Sequence, residues 1–519
     1  MRADLQRLKR DSDSGKSAVV IESAPASRKR RLQWVGVGVI AAIVMAVFLW
    51  QSRHSAVLYV DSANPRAIAV LPFQNGSSDK DIDFLHLALP DEVATALSYA
   101  PSLSIRPSAM TNKYVGPDLD LQQAGRDLRV TDIVTGHYLR EGAQLRITLE
   151  AVNVEHNRLI WRDTLIAASP DMIGMHDQIT VKVRQGLLPV LGVSAPTESG
   201  NRPKSQEAYD LYLHSLAMSR DPEPNKDAIA VLEHVVELDP TYAPAWEGLG
   251  MRYYWDAAYS NGAERAFQRS NKAYEKALAL DPNRILAAGA LIANRVERAE
   301  LGRAYELAVD LVKRRPESAQ AHFVLSYVFR YAGMLVKSTQ ECNTALTLDP
   351  GNYQFRSCAW TFAQLGQTDR ALDYVRLDRG SEWASYAAPS ILLRQGKLDE
   401  AREAVKRMPS EARYHRDLLE ACLKLRPASE LDRIAREAEA SVGTPTDPEL
   451  FYYQGSILAF CGQKERAVRL LRGAISGGYC SYSALLSDPL LAKLRETSVF
   501  DQLLMEAHGC QQKFLPQQN

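Results

Sequence analysis

Four prolines set a long period in the second half of the chain. They are Pro240, Pro282, Pro316 and Pro350, spaced by 42, 34 and 34 residues, and three of them close the phrases "ELDP", "ALDP" and "TLDP". Proline lacks an amide donor and cannot continue a helix, so each one marks a helix boundary. A period of this length is typical of helix pairs that bury their apolar faces by stacking on one another. The sequence therefore predicts an α-helical superhelix of seven or eight hairpins over residues 205–482.

The best copy of the period carries a set of aromatic, small and proline residues: Trp246, Leu249, Gly250, Tyr253, Ala277 and Pro282. This copy resembles the tetratricopeptide repeat. An insertion of about eight residues around "DAAYSNGA" explains the single 42-residue step. Small residues such as Gly250, Ala304 and Ala345 are expected where two helices approach closely. Residues 483–519 are predicted to form capping helices.

The resemblance to tetratricopeptide repeats implies a peptide-binding groove lined by the first helix of each hairpin. Protein or peptide ligands are the partners that such a groove implies. By repeat register, the candidate groove residues are Glu247, Tyr254, Tyr327, Arg330 and Gln364. The same positions are often plain solvated surface in repeats of this kind.

Near the amino terminus, a basic tail precedes an apolar run. Residues 1–31 end in "RKRR", and "LQWVGVGVIAAIVMAVFLW" follows without a charge. As a helix, this run is roughly 28 Å long, close to the thickness of the hydrocarbon core of a bilayer. A transmembrane helix is predicted over residues 32–52, with the tail in the cytoplasm and the rest outside it. A cleaved signal peptide and a buried core helix are the alternatives.

Small residues in this apolar run allow dimerisation through the helix. They include the string "GVGVIA", which also fits a dinucleotide fingerprint. Charged residues precede the string where a fingerprint needs a strand, and the run around it is predicted to span a membrane, so a fingerprint is not expected. The predicted location is the bacterial inner membrane.

Residues 66–192 follow a different pattern, with short β-rich runs separated by two helical segments. The predicted order is βαβαβββ, with a further helix near residues 171–186 and a polar linker over 193–204. The motifs "AVLPF" from residue 69, "GHY" from 136 and "LIW" from 159 resemble the TolB amino-terminal-like domain. That resemblance implies a structural or interactive α/β domain without assigned chemistry.

The string His415-Arg416-Asp417 matches the start of a protein-kinase catalytic loop. Cys422 stands where that pattern needs a magnesium-binding Asn, and no Gly-rich loop or Asp-Phe-Gly accompanies it. The string is therefore interpreted as a coincidence. The tail over residues 2–18, however, resembles the segment that follows the kinase domain in bacterial membrane-anchored Ser/Thr kinases. The chain could thus be the sensor half of such a kinase, or dock onto a separately encoded one.

No catalytic, cofactor or metal site is predicted. GxSxG, HExxH, P-loop and CxxC motifs are absent from the sequence. The 62 basic and 62 acidic residues cancel, so nucleic acid is not an expected partner. Cys342 and Cys358 could pair across adjacent hairpins, although an inert core thiol is favoured for Cys342.

These observations predict a tetratricopeptide-repeat superhelix plus a small α/β domain and one transmembrane helix. The function they favour is a non-enzymatic, single-pass scaffold for protein recognition in signalling or envelope assembly. The alternative is the sensor half of a transmembrane Ser/Thr kinase.

Overall fold

The computed structural model describes most of the chain after residue 65. The described ranges are 66–77, 79–116, 119–169, 171–194, 202–259, 263–442 and 447–514. Across these ranges, no helix combines the length and the apolar character needed to cross a membrane. The basic tail and the predicted membrane helix over 32–52 lie outside the described residues.

A mixed sheet forms the centre of the α/β domain. Its strands are β1 (Arg66–Val70), β2 (Gln74–Asn75), β3 (Leu103–Ile105), β4 (Asp132–Glu141), β5 (Gln144–Asn153) and β6 (Arg158–Ala168). The order is β3-β1-β4-β5-β6, and β2 lies beside β4. β1 is parallel to β3 and β4, whereas β4, β5 and β6 form an antiparallel meander. The predicted order βαβαβββ is confirmed, with the short β2 as an addition.

Helices cover both faces of this sheet. They are α1 (Leu85–Ser98), α2 (Ser108–Thr111), α3 (Leu121–Leu128), α4 (Met172–Lys182) and α5 (Leu188–Val190), with a π-helical turn at Val183–Leu187. Alternate residues of β1 point to opposite faces, as the pleat requires. Ile68 packs in the cluster that includes α1 and α4, and Ala69 packs in the cluster that includes α3.

The first hairpins of the repeats share a core with the α/β domain. The cluster that contains Ile68 also contains Tyr209, Tyr212 and Leu249 from the repeat helices. A shared core of this kind makes the two parts one packed unit, because separating them would return apolar surface to water.

Sixteen helices form eight consecutive hairpins. In order they are α6 (Gln206–Leu216), α7 (Pro222–Leu238), α8 (Ala243–Tyr259), α9 (Ala263–Leu280), α10 (Ile285–Val296), α11 (Leu301–Arg314), α12 (Ala319–Tyr331), α13 (Leu335–Leu348), α14 (Cys358–Gln364), α15 (Thr368–Arg376), α16 (Glu382–Arg394), α17 (Leu398–Lys406), α18 (Arg413–Cys422), α19 (Leu431–Ser441), α20 (Pro448–Phe460) and α21 (Lys464–Ser476). The predicted helical repeat architecture is confirmed.

The insertion that produces the 42-residue spacing between Pro240 and Pro282 lengthens both helices of one hairpin. α8 and α9 have 17 and 18 residues, whereas α12 and α13 have 13 and 14. The extra residues are therefore spread over both helices of one hairpin. Within this hairpin Gly250 allows the close approach expected from the sequence, since a Cβ there would lie 2.8 Å from the ring of Tyr274.

The last helices fold back on the middle of the repeats. After α22 (Tyr482–Ser487), helix α23 (Ser498–Phe514) ends with Phe514 against Tyr305 of α11, with ring centroids 5.4 Å apart. The amide of Cys480 donates to the carbonyl of Tyr331 at 2.7 Å. The segment predicted to form capping helices, residues 483–519, thus packs on α11 through Phe514 and contacts the end of α12 through Gln511, which donates to the carbonyl of Ala332.

All six cysteines are paired. The bridges are Cys342–Cys358, Cys422–Cys461 and Cys480–Cys510, with Cα separations of 6.0, 5.0 and 5.3 Å. The free thiol favoured for Cys342 from the sequence is therefore wrong. A 3₁₀ turn at Tyr353–Ser357 brings the start of α14 back to α13, and this places Cys358 opposite Cys342.

Candidate functional site

A cavity of about 670 Å³ lies between the α/β domain and the repeats. One wall is formed by α1, by Tyr99 and by β3 with the residues that follow it. The other wall is formed by α6, by α8 and by the segments that begin α10 and α12. Its volume falls within the range of roughly 300–1,000 Å³ typical of ligand sites. The cavity therefore lies on the side of the superhelix formed by the first helices of the hairpins.

Two aspartates of the repeated "LDP" phrases, Asp281 and Asp349, anchor the α/β domain beside this cavity. The Tyr99 hydroxyl donates to Asp281 at 2.5 Å. Ser104 and Arg106 donate to Asp349 at 2.7 and 2.5 Å. Because Asp281 and Asp349 hold the same place in their repeats, the repeat period itself supplies matching acceptors for one edge of the α/β domain.

Gly351 permits the closest approach at this contact. A Cβ on Gly351 would lie 2.5 Å from the Cβ of Arg129 and 2.8 Å from Nη2 of Arg106. Arg129 also donates from Nη1 to the carbonyl of Pro350 at 3.1 Å. The "LDPG" turn thus meets the α/β domain through a backbone position that has no room for a side chain.

Charged groups from both parts face the cavity. Arg284 donates to Glu247 in a bidentate pair, with distances of 2.8 and 3.0 Å. Asp91 on α1 lies nearby, and its pKa is raised to about 7 by burial and by the neighbouring Glu92. Arg284 and a hydrogen bond from the Tyr212 hydroxyl oppose part of this shift. At neutral pH the Asp91 carboxyl is therefore close to half-protonated.

Glu92 itself is held by a histidine. His176 on α4 contacts the Glu92 carboxylate at 2.6 Å. Burial lowers the pKa of His176, but the charge of Glu92 outweighs burial, and the pKa of the imidazole is raised. Glu92 thus has its own ion-pair partner, whereas Asp91, which lines the cavity, forms no ion pair with a cationic side chain in the described part of the chain.

Apolar side chains complete the cavity lining. Leu87, Leu216, Met251 and Leu348 are partly exposed to it, and Leu286 at the start of α10 is 53% exposed. A lining of this mixed kind, with a few charged groups among apolar ones, is suited to a ligand that has a charged end and an apolar body.

The structure does not bring the five sequence-predicted groove residues together. Glu247 lines the cavity through its pair with Arg284. Tyr254 is half-buried and packs edge-on against Phe267, with centroids 5.8 Å apart. Of the remaining three, Tyr327 donates to Glu297, Arg330 pairs with Glu449 of α20, and Gln364 contacts Tyr479 and Ser487. A ligand-binding role for these residues stays a prediction.

Arg330 is the centre of a buried polar cluster. Its guanidinium donates to both oxygens of Glu449, at 2.7 and 3.1 Å, and its side chain has no exposed surface. Tyr327 donates to Glu297 at 3.0 Å, and Tyr331 donates to Asp447. Burial and the charge of Asp447 raise the pKa of Glu297 to about 8. Here the C-terminal part of the chain occupies positions at which a groove ligand was predicted.

Gln364 also forms hydrogen bonds with residues from the C-terminal part of the chain. Its side-chain amide donates to the Tyr479 hydroxyl at 2.5 Å, and its backbone carbonyl accepts from Ser487. The residue is 1% exposed. The first helix of this hairpin therefore contacts the chain itself through the position that repeat register assigns to a ligand.

The cavity residues that sequence reasoning missed are Asp91, Arg284, Arg106 and Asp349. A signal for two of the contacts was present, because Asp281 and Asp349 recur in the "LDP" phrases. No comparable pattern marks Asp91, which becomes distinctive only when α1 packs against the repeats.

The kinase-like string lies on a repeat helix. His415 and Asp417 belong to α18, where Nδ1 of His415 contacts Gln454 at 3.1 Å and Asp417 pairs with Arg426 at 2.8 Å. His415 thus joins two hairpins, whereas the Asp417 pair lies within one hairpin. In the described ranges, no group of three or more His, Cys, Asp or Glu side chains is placed to hold a metal ion.

One domain-level match covers the sheet. Residues 64–181 match the second domain of HilA/YgeH-like transcriptional regulators. A curated relative, putative adenylate cyclase 3 from Rhizobium meliloti (strain 1021), is 24% identical over 188 residues. This match covers 36% of the chain and 32% of the relative. The chain thus spans about a third of the length of the curated relative it matches.

The chain is partly similar to several solved structures, among them the following three. MamA from Desulfovibrio magneticus RS-1 has a TM-score of 0.27 at 16% identity, covering 34% of this chain and 98% of that one. A tetratricopeptide repeat protein from Parabacteroides merdae has a TM-score of 0.32 at 15% identity, covering 59% and 100%. The APC/C hetero-tetramer Cut9–Hcn1 has a TM-score of 0.33 at 14% identity, covering 66% and 81%.

Proposed function

We propose that this chain is a membrane-anchored recognition protein that binds a protein or peptide partner outside the cytoplasm. The observation that carries the proposal is the cavity built jointly by the α/β domain and the first helices of the hairpins. Its walls come from two parts of the chain, so an occupant would contact both and stabilise their docking. Recognition, and not catalysis, is the role that this arrangement supports best.

Two observations support the proposal that the chain after the apolar run lies outside the cytoplasm. Three disulfides pair every cysteine, and disulfides persist in oxidising compartments. The basic tail before the apolar run over 32–50 favours a cytoplasmic amino terminus. An alkaline phosphatase fusion after residue 200 should be active, and an inactive fusion would contradict this orientation.

The binding role can be tested with a peptide library. A random peptide library displayed on phage is selected against the purified full chain. Selected peptides should bind the wild type and lose about tenfold or more in affinity with Thr95→Trp, which fills the cavity from α1. Thr339→Trp is the matched control, because Thr339 is a partly exposed helical threonine that does not line the cavity. Binders that are insensitive to Thr95→Trp would contradict the proposed site.

A second candidate is the recognition part of a longer signalling enzyme. It is favoured by the match to about a third of a protein named as a putative adenylate cyclase. Residues 2–18 resemble the segment that follows the kinase domain in bacterial membrane-anchored Ser/Thr kinases, and this resemblance favours a kinase as that enzyme. A blot of native membranes with an antibody against the repeats distinguishes the two candidates. A band near 57.7 kDa supports the self-standing protein; a band larger by roughly 30 kDa, the scale of an added domain, supports the enzyme.

A further inference from the structure

Most charged side chains that line the cavity already have partners within the chain. Arg284 is paired with Glu247, and Arg106 with Asp349. Arg252 donates to backbone carbonyls in the last turn of α6 and in the segment that follows it. These groups shape the cavity walls, and a ligand could recruit them only by breaking an existing contact.

Asp91 differs from these groups. In the described part of the chain no cationic side chain forms an ion pair with it, and its one side-chain hydrogen bond comes from Tyr212. The charged groups that act on it are Glu92 on its own helix, Glu247 from α8 and Arg284 before α10. Glu92 is paired with His176 and Glu247 with Arg284, so Asp91 is the carboxylate of this set that lacks an ion-pair partner in the described part of the chain. A carboxylate that is partly withdrawn from water and has no ion-pair partner carries a desolvation cost, and a bound cation would offset it.

The surroundings of Asp91 define the rest of the ligand. Leu216, Met251 and Leu286 present apolar surface to the same cavity. A bare metal ion would leave that surface in contact with water. An organic cation with an apolar body would satisfy both features of the lining.

We infer that the cavity binds a ligand through a primary ammonium group placed at Asp91, with its apolar part toward Leu216, Met251 and Leu286. This inference rests on the proposed binding function and names the chemistry of its ligand. The ammonium can belong to a small amine or to a lysine side chain of a peptide. Either cation competes with the proton for the Asp91 carboxylate. Binding of a cation that keeps its charge should therefore strengthen about tenfold from pH 6 to pH 8.

The test uses two matched pairs of probes, titrated into the purified full chain by calorimetry. n-Hexylammonium is compared with n-hexanol, and acetyl-Leu-Leu-Lys-amide with acetyl-Leu-Leu-Gln-amide. At least one cationic probe should bind about tenfold or more tightly than its neutral counterpart. The cationic probe that binds identifies the source of the ammonium as a small amine or a basic peptide.

Asp91→Asn should abolish the preference for the cation and leave binding of the neutral probe unchanged. Glu155→Gln is the charge-matched control, because Glu155 is exposed in the turn between β5 and β6, away from the cavity. Thermal unfolding of both variants verifies that they fold. The inference is overturned if neither cationic probe binds the wild type, or if Asp91→Asn binds the cation as well as the wild type does.

The two proposals fail separately. Phage-selected peptides that depend on Thr95 but lack a basic residue, and are unaffected by Asp91→Asn, would leave the binding function intact and overturn the ammonium site. Selected peptides that do not respond to Thr95→Trp would count against the binding function itself.

Discussion

Arg106 of the α/β domain and Asp349 of the repeats form an ion pair with 2.5 Å between Nη1 and Oδ1, and both side chains are almost fully buried. The guanidinium also donates to the carbonyls of Leu128 and Arg129. One arginine thus joins the sheet domain to the turn after α13. The pair lies next to the cavity and holds its two walls together.

Removing either partner of this pair should be strongly destabilising. Asp349→Ala leaves the Arg106 charge buried without a counter-ion, and the expected loss in the free energy of unfolding is about 3–5 kcal/mol. Urea denaturation of the full chain measures the loss. Arg146→Ala is the control, because its pair with Glu141 is exposed and should contribute at most about 1 kcal/mol. Equal losses in the two variants would contradict the role assigned to the buried pair.

Gly351→Ala should loosen the same contact without changing any charge. The added methyl group would overlap Arg129 and Arg106, so the two parts must separate slightly, at an expected cost of about 1–3 kcal/mol. Limited proteolysis in the 193–204 linker should become faster. Gly509→Ala, on α23 with nothing near its Cβ position, should be neutral or slightly stabilising. Unchanged proteolysis in Gly351→Ala would show that the contact tolerates a side chain.

Glu297 should make stability depend on pH. Its pKa in the folded protein is about 8, well above its ordinary value, so the folded state holds a proton that the unfolded chain releases above about pH 4.5. The free energy of unfolding should therefore fall as pH rises from about 4.5 to about 8, by on the order of 1 kcal/mol per pH unit.

Glu297→Gln should remove this component of the pH dependence. The variant is expected to match the wild type near pH 5 and to be more stable than it at pH 8. Glu306→Gln, an exposed position on α11, is the control and should keep the wild-type slope. Urea denaturation across this pH range provides the measurement; parallel curves for wild type and Glu297→Gln would contradict the raised pKa.

The cysteines offer a test of the compartment. If the repeats lie outside the cytoplasm, all six cysteines should be oxidised in native membranes, and none should react with a maleimide reagent under denaturing conditions until a reductant is added. The expected readout is a gel shift that appears only after reduction. Labelling of unreduced protein at Cys342, Cys422 or Cys480 would argue for a reducing compartment.

Local patterns in the sequence were sufficient to predict the helices and strands of the fold. The period marked by Pro282, Pro316 and Pro350 predicts stacked helix pairs, because helix boundaries and apolar faces are set by nearby residues. The short β-rich runs and the two helical segments of residues 66–192 predict the order of strands and helices in the α/β domain in the same way. Gly250 marks a close helix approach that the structure confirms.

The site depends on contacts that no local pattern contains. Repeat register predicted ligand-facing positions at Arg330 and Gln364, but it could not indicate that the chain folds back and contacts them through Glu449 and Tyr479. The thiol of Cys342 was assigned wrongly for a related reason, since its partner is positioned by a turn of five residues.

By itself, the sequence determined the helical repeats, the α/β domain and the apolar run near the amino terminus. Only the tertiary structure decided which parts of the repeat surface are covered by the rest of the chain and which remain accessible to a ligand. Tyr99 and Asp281 are 182 residues apart, and Arg106 and Asp349 are 243 residues apart. Contacts over such separations depend on the shape and charge of whole packed surfaces. These contacts close part of the repeat surface and leave the cavity at Asp91.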